Sequence, residues 1–171
     1  MQGTLLEGKN VLAVDDETDI LEILDEELAE YGVVLDTATT YEEACRKLDS
    51  RTYDIAVLDI MGVRGFELLE KAMAKEIQVV MLTAHGLSIE SLEKSIELGA
   101  RAYLPKEQLA NIPGFLEDVV ELGYHKAWYK ILENLRGYFG TKFGNEWKKS
   151  EQEILARFKE NGDFREAAII E

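Results

Sequence analysis

The chain has 171 residues, 46% of them hydrophobic and 31% charged, which is enough apolar material for one domain with an appended element and too much for a disordered chain. Its 34 Asp and Glu outweigh 19 Lys and Arg for a net charge of -15, so it lacks the basic face that nonspecific nucleic-acid binding needs. No run approaches the roughly 20 apolar residues that cross a bilayer, Met1 to Lys9 shows no secretory leader, and the lone Cys45 excludes an internal disulfide.

These features predict a cytoplasmic protein with neither nucleic acid nor membrane among its partners. Cys45 itself reads as a small buried residue on a helix. The charge is uneven along the chain. Residues 1–112 carry 10 Lys and Arg against 23 Asp and Glu, whereas residues 113–171 carry 9 against 11. The chain therefore reads as an acidic body and a mixed tail.

A first apolar run at residues 10–14 predicts a strand, and Leu21, Leu24, Leu28 and Tyr31 then recur at helical spacing up to a cap at Gly32. Strand 33–37 precedes a helix marked by Ala44 and Leu48, and strand 54–58 precedes one marked by Leu69 and Met73. Strand 77–82 leads into a helix with Ile89, Leu92 and Ile96, ended by Gly99, and residues 101–104 form the fifth strand. The third and fourth runs are apolar nearly throughout, which fits strands covered on both faces. Strict alternation of strand and helix predicts an α/β, doubly wound, five-stranded parallel sheet with helices on both faces.

Pro113 opens a further helix, and Leu116, Val120, Ala127, Ile131, Leu135 and Tyr138 extend its apolar pattern to Gly137–Gly140. Gly123 is a weak point inside it. Such a helix would be roughly 40 Å long, more than a five-stranded sheet covers. After a connection at Gly140 to Gly144, a second helix is expected over about 145–160, with Asn145 as N-cap and Trp147, Ile154 and Phe158 on one face. These apolar groups exceed what the first part can bury, so the helices are expected to pair with each other, a second copy or a partner. His125 reads as a partly exposed structural histidine on that helix.

Polar residues stand just past the strands: Asp15 and Asp16 after the first, Asp59 after the third, Thr83 after the fourth and Lys106 after the fifth. In a parallel sheet these ends open at one edge, where carboxylates, a hydroxyl and an ammonium suit phosphoryl chemistry on Mg²⁺. Asp15, Asp16 and Asp59 supply metal ligands. Asp59 is the best nucleophile, Lys106 neutralises the transferred group, and Thr83 hydrogen-bonds it beside the small Ala84. Any one acid here is equally well a helix cap or a loop residue; the ordered set is what points to function.

The motifs Val14-Asp15-Asp16-Glu17, Leu58-Asp59-Ile60-Met61, Leu82-Thr83-Ala84 and Gly99-Ala100-Arg101-Ala102-Tyr103-Leu104-Pro105-Lys106 resemble the receiver domain of bacterial two-component response regulators over residues 8–122. The resemblance implies a flavodoxin-like strand order of 2-1-3-4-5 and a phosphoryl group accepted on Asp59 from a histidine kinase or phosphotransfer protein. It also implies Mg²⁺ held by Asp16, Asp59 and the Met61 carbonyl, with Asp15 assisting through water. Thr83 and Tyr103 would then act as the switch, Tyr103 turning inward and remodelling the surface of strands and helices four and five. The chain is thus expected to be a signalling protein rather than an enzyme: a receiver over 1–122 and a helical extension over 123–171 that dimerises or docks a partner.

Two departures stand out. Val63 replaces the usual Pro and Gly65 arrives two positions early, which shortens the loop after Asp59; Glu107 replaces the usual Pro after Lys106, so the cis bond common there cannot form. Met61 and His85 occupy positions that tune dephosphorylation in the family, which predicts an altered phosphoryl lifetime. The alternative is an unphosphorylated receiver-like scaffold that acts only by binding. An aspartate-nucleophile phosphatase is disfavoured, because Met61 stands where its second Asp would be.

Overall fold

The computed structural model describes residues 4–84 and 87–160; His85 and the dephosphorylation role expected of it lie outside the described residues. Five strands, β1 (Asn10–Val14), β2 (Val34–Ala38), β3 (Ile55–Asp59), β4 (Gln78–Thr83) and β5 (Ala102–Pro105), form one sheet in the order β2-β1-β3-β4-β5, parallel throughout. The expected strands are all present, most of them shifted by one residue. β3 is buried at every position and β4 at all but its first, as the unbroken apolar runs require.

Helices α1 (Thr18–Leu28), α2 (Tyr41–Ser50), α3 (Gly65–Ala74), α4 (Ile89–Glu97) and α5 (Ile112–Glu121) make the crossovers. α1 continues as a 3-10 turn, Ala29–Tyr31, that stops at Gly32 with φ 74°. α4 carries a capping box in which the Ser88 and Ser91 side chains each accept from the other's backbone N–H. α1 packs on α5, while α2 packs on α3, so both faces of the sheet are covered. Cys45 lies on α2 as expected but is half-buried rather than buried.

The loop after β3 is short. Gly65 begins α3 pressed against the end of β3, where an added Cβ would stand 2.1 Å from the Asp59 carbonyl oxygen. Arg64, just before it, is held in the left-handed region at φ 56°, with its guanidinium over the Tyr41 ring at 4.0 Å.

The tail departs from expectation. Helix five does not continue: Leu122 and Gly123 are extended, at ψ 151° and 168°, and a new helix, α6 (Tyr124–Phe143), starts on a different course. An extended residue next to a poor helix former breaks the i→i-4 ladder. The break lets α6 fold back along β5, where Trp128 is fully buried and its Nε1 donates to the Ala100 carbonyl at 2.7 Å.

Gly137 and Gly140 do not end α6. Phe139 is fully buried between them in the hydrophobic core, and that packing outweighs two weak propensities. The helix ends instead at Gly144, with φ 66°, and α7 (Glu146–Glu160) returns against α6 and α4. The tail's apolar face, expected to exceed what the receiver could cover, is spread over the β5 edge with Ile131, Leu135, Trp147 and Ile154 buried. His125, expected to be partly exposed, is instead buried among the rings of Tyr124 and Phe158. No helix of the described residues is long and apolar enough to cross a membrane.

Gly65→Ala should destabilise the fold by roughly 1–3 kcal/mol, because the new methyl meets backbone that cannot step aside. Urea denaturation measures this, and an unchanged midpoint would contradict the tight β3–α3 junction.

Candidate functional site

Strand register builds the site. Val14 pairs with Leu58, Asp59 with Leu82, and Thr83 with Pro105. The residues at or just past these ends, Asp15, Asp59, Thr83 and Lys106, therefore step across one edge of the sheet. Asp15 and Thr83 are fully buried or nearly so, and Asp59 is 5% exposed.

Lys106 reaches across this edge. Its Nζ lies 2.8 Å from Asp15, 3.2 Å from Asp59 and 3.5 Å from Glu17, with the lysine side chain only 8% exposed. Asp15 also accepts from the Glu17 N–H at 2.9 Å, which fixes the carboxylate against the start of the next loop. Burial pushes the Asp15 carboxyl up from its ordinary value, against the pull of Lys106. Burial, and then the nearby Asp15 charge, push Asp59 up to about 6 although Lys106 acts in the opposite sense. Lys106 is held above the usual lysine value: burial alone would lower it, but the two carboxylates prevail.

Asp15, Asp16 and Glu17 can each bring one carboxylate oxygen within 4.8 Å of the others, a hard-oxygen group of the kind Mg²⁺ takes. Asp16 and Glu17 are exposed at the mouth while Asp15 is buried beneath them. Gly62, with φ 84°, makes room for this group, since a Cβ there would stand 2.6 Å from the Asp16 carboxylate. Met61 lies in the same turn and is 54% exposed.

The Thr83 hydroxyl is buried and has no hydrogen-bond partner among the described residues. It lies close enough to Tyr103 to influence that ring's ionisation, which burial pushes upward, without making a hydrogen bond of acceptable geometry. Tyr103 is fully buried, and its hydroxyl is 2.6 Å from Ser91 Oγ on α4. The structure thus brings together Asp15, Asp59, Thr83 and Lys106, with Asp16 and Met61 at the rim and Tyr103 behind.

Sequence reasoning passed over Glu17 and Gly62. Glu17 is visible as the third acid of Asp15-Asp16-Glu17. Gly62 is visible only as a glycine in the turn after Asp59.

A titration follows from the burial of Asp59. Because its folded-state value lies above the usual carboxylate range, the protonated form favours the folded chain, and that advantage is lost as pH rises from about 4 to about 6. Without divalent metal, Asp59→Asn should be more stable than the parent at neutral pH by roughly 1–3 kcal/mol, with the gap closing on acidification. Thermal unfolding across this pH range reads it; a gap that does not vary with pH contradicts the assignment.

Residues 11–112 match the family model of the response regulator receiver domain. The phosphate regulon transcriptional regulatory protein PhoB of Klebsiella pneumoniae is 32% identical over 134 residues, 67% of this chain and 58% of PhoB. The receiver domain of NtrX from Brucella abortus superposes with a TM-score of 0.56 at 28% identity, over 66% of this chain and 99% of that one. A CheY-like receiver domain protein from Methanospirillum hungatei JF-1 covers 85% of this chain and 98% of its own at 26% identity, with a TM-score of 0.53.

The chain spans about half the length of the curated relatives it matches. Those relatives are transcriptional regulatory proteins, and transcription is regulated on DNA, so the expectation that nucleic acid is no partner is overturned. The charge argument behind it bears only on nonspecific binding by this acidic surface, not on the system a receiver serves. With its sheet order, its edge of carboxylates and lysine, and the match over residues 11–112, this chain belongs to the response regulator receiver family of two-component systems.

Proposed function

We propose that this receiver accepts a phosphoryl group on Asp59 from a histidine kinase or phosphotransfer protein and transmits the event through protein contacts. The observation that carries this reading is the buried pair Asp15 and Asp59 held by one ammonium, Lys106, at 2.8 and 3.2 Å. An Asp59 carboxylate oxygen attacks phosphorus and forms the new O–P bond while the bond from phosphorus to the donor's histidine nitrogen breaks, its electron pair leaving with that nitrogen. Lys106 meets the charge of the transferred group, and the Thr83 hydroxyl, buried without a partner among the described residues, donates to one of its oxygens.

Asp15, Asp16 and Asp59, with the Met61 carbonyl, are the groups that would hold Mg²⁺, and the exposed Glu17 stands beside them. Bound Mg²⁺ supplies Lewis-acid stabilisation of the phosphoryl oxygens and offsets the surplus of carboxylates. The receiver is assigned to residues 1–122 and the extension to 123–171. Thr83 and Tyr103 form the switch, and the extension is the element through which contacts with a partner or a second copy are controlled. Kinship with transcriptional regulatory proteins supports an output in gene control.

Intact mass after incubation with acetyl phosphate and Mg²⁺ should rise by one phosphoryl group. Asp59→Asn or removal of the metal with EDTA should abolish the rise, and Lys106→Ala should slow it by about 100-fold. An unmodified wild-type chain would favour the unphosphorylated scaffold instead.

A further inference from the structure

The α6–α7 hairpin is not a free appendage. Arg157 of α7 pairs with Glu93 of α4 at 2.8 Å, and the Tyr124 hydroxyl donates to the Ile96 carbonyl near the end of α4. The Tyr138 hydroxyl donates to Glu107 at 2.8 Å, with Lys142 Nζ 3.3 Å from the same carboxylate. Glu107 directly follows Lys106. Phe139 packs against the Tyr103 ring with centroids 6.2 Å apart, so Tyr103 is clasped between Ser91 of α4 and Phe139 of α6. The hairpin therefore touches the neighbours of both Thr83 and Lys106.

We propose that the α6–α7 hairpin is an in-cis cover of the α4–β5–α5 face, and that phosphorylation of Asp59 loosens it along two routes, Thr83 to Tyr103 to Phe139 and Lys106 to Glu107 to Tyr138. The inference rests on the proposed phosphorylation of Asp59. The docked hairpin fits the unmodified site: Lys106 lies between Asp15 and Asp59, and Glu107 is placed to receive Tyr138 and Lys142. A phosphoryl group on Asp59 gives Thr83 its first hydrogen-bond acceptor among the described residues and draws it toward the edge, opening space beside Tyr103. The ring follows that space and leaves Phe139. The same group draws Lys106, which carries the Glu107 backbone away from Tyr138. Both routes separate contacts that hold the hairpin down, so the phosphorylated site binds the undocked state better, which is the condition for a population shift. Coupling is reciprocal, so weakening the hairpin strengthens binding of a phosphoryl analogue.

The chain's two tryptophans, Trp128 and Trp147, both lie in the hairpin and are 0% and 4% exposed, so intrinsic fluorescence reports docking directly. With Mg²⁺ and beryllium fluoride, a reversible phosphoryl analogue, the full chain should shift its emission to the red and quench several-fold more readily with acrylamide, while Asp59→Asn stays unchanged. Arg157→Glu, which sets like charges opposite Glu93 without touching the core, should bind the analogue roughly fivefold more tightly or better. Phe139→Ala should do the same, and Arg157→Glu alone decides if that variant fails to fold. If fluorine NMR shows the analogue bound while tryptophan emission and quenching stay constant, or quenching falls, or Arg157→Glu binds no more tightly, the inference is overturned with phosphorylation intact. A chain that neither binds the analogue nor gains phosphoryl mass ends both readings.

Discussion

Two carboxylates share a buried sheet edge here because a single ammonium stands between them. Asp15 and Asp59 are both nearly inaccessible, and each would be expensive to ionise alone; Lys106 makes the pair tenable by contacting both. The cation also sets what the edge can do. The Lys106 ammonium faces two buried acids with Asp16 and Glu17 exposed beside them, and Asp15, Asp16 and Glu17 make a hard-oxygen group of the kind a divalent cation takes. Everything that positions Lys106, from the parallel register of β4 with β5 to the burial of β5, therefore bears on the chemistry of Asp59.

That dependence extends to the tail. β5 ends the sheet and would leave an open edge, but α6 covers it and hydrogen-bonds the carbonyl just before it through Trp128. The strand that carries Tyr103 and leads into Lys106 is thus held between the sheet on one side and the extension on the other. Tyr103 has no solvent-facing side, since its hydroxyl meets Ser91 and its ring meets Phe139.

Much of this was legible in the residues. Buried parallel strands announce themselves as short apolar runs, and a polar residue at each strand end follows from simple counting, so the sheet and the Asp15, Asp59, Thr83, Lys106 set could be placed without coordinates. The tail was harder. A periodic apolar stripe from Leu116 to Tyr138 reads as one long helix, because the apolar positions before and after the break stay roughly in helical phase. Only the packing shows that Leu122 and Gly123 are extended so that Trp128 can reach Ala100. Gly137 and Gly140 misled in the opposite direction, since local propensity yields to the burial of Phe139. Gly62 escaped notice because its importance lies in the space beside Asp16, which is a property of two loops at once.

The joint at Leu122 and Gly123 has a consequence of its own. Had α5 run on unbroken, the extension would be a rigid rod whose bearing was dictated by main-chain hydrogen bonds. Because the ladder is interrupted, its bearing is dictated by side chains at the interface, among them Arg157, Tyr138 and Trp128. Those side chains lie outside the edge formed by Asp15, Asp59 and Lys106. Under the proposed coupling, substitutions on α6 and α7 shift the balance between docked and undocked hairpin, and with it the affinity of the edge for a phosphoryl group, without altering any residue at the edge itself.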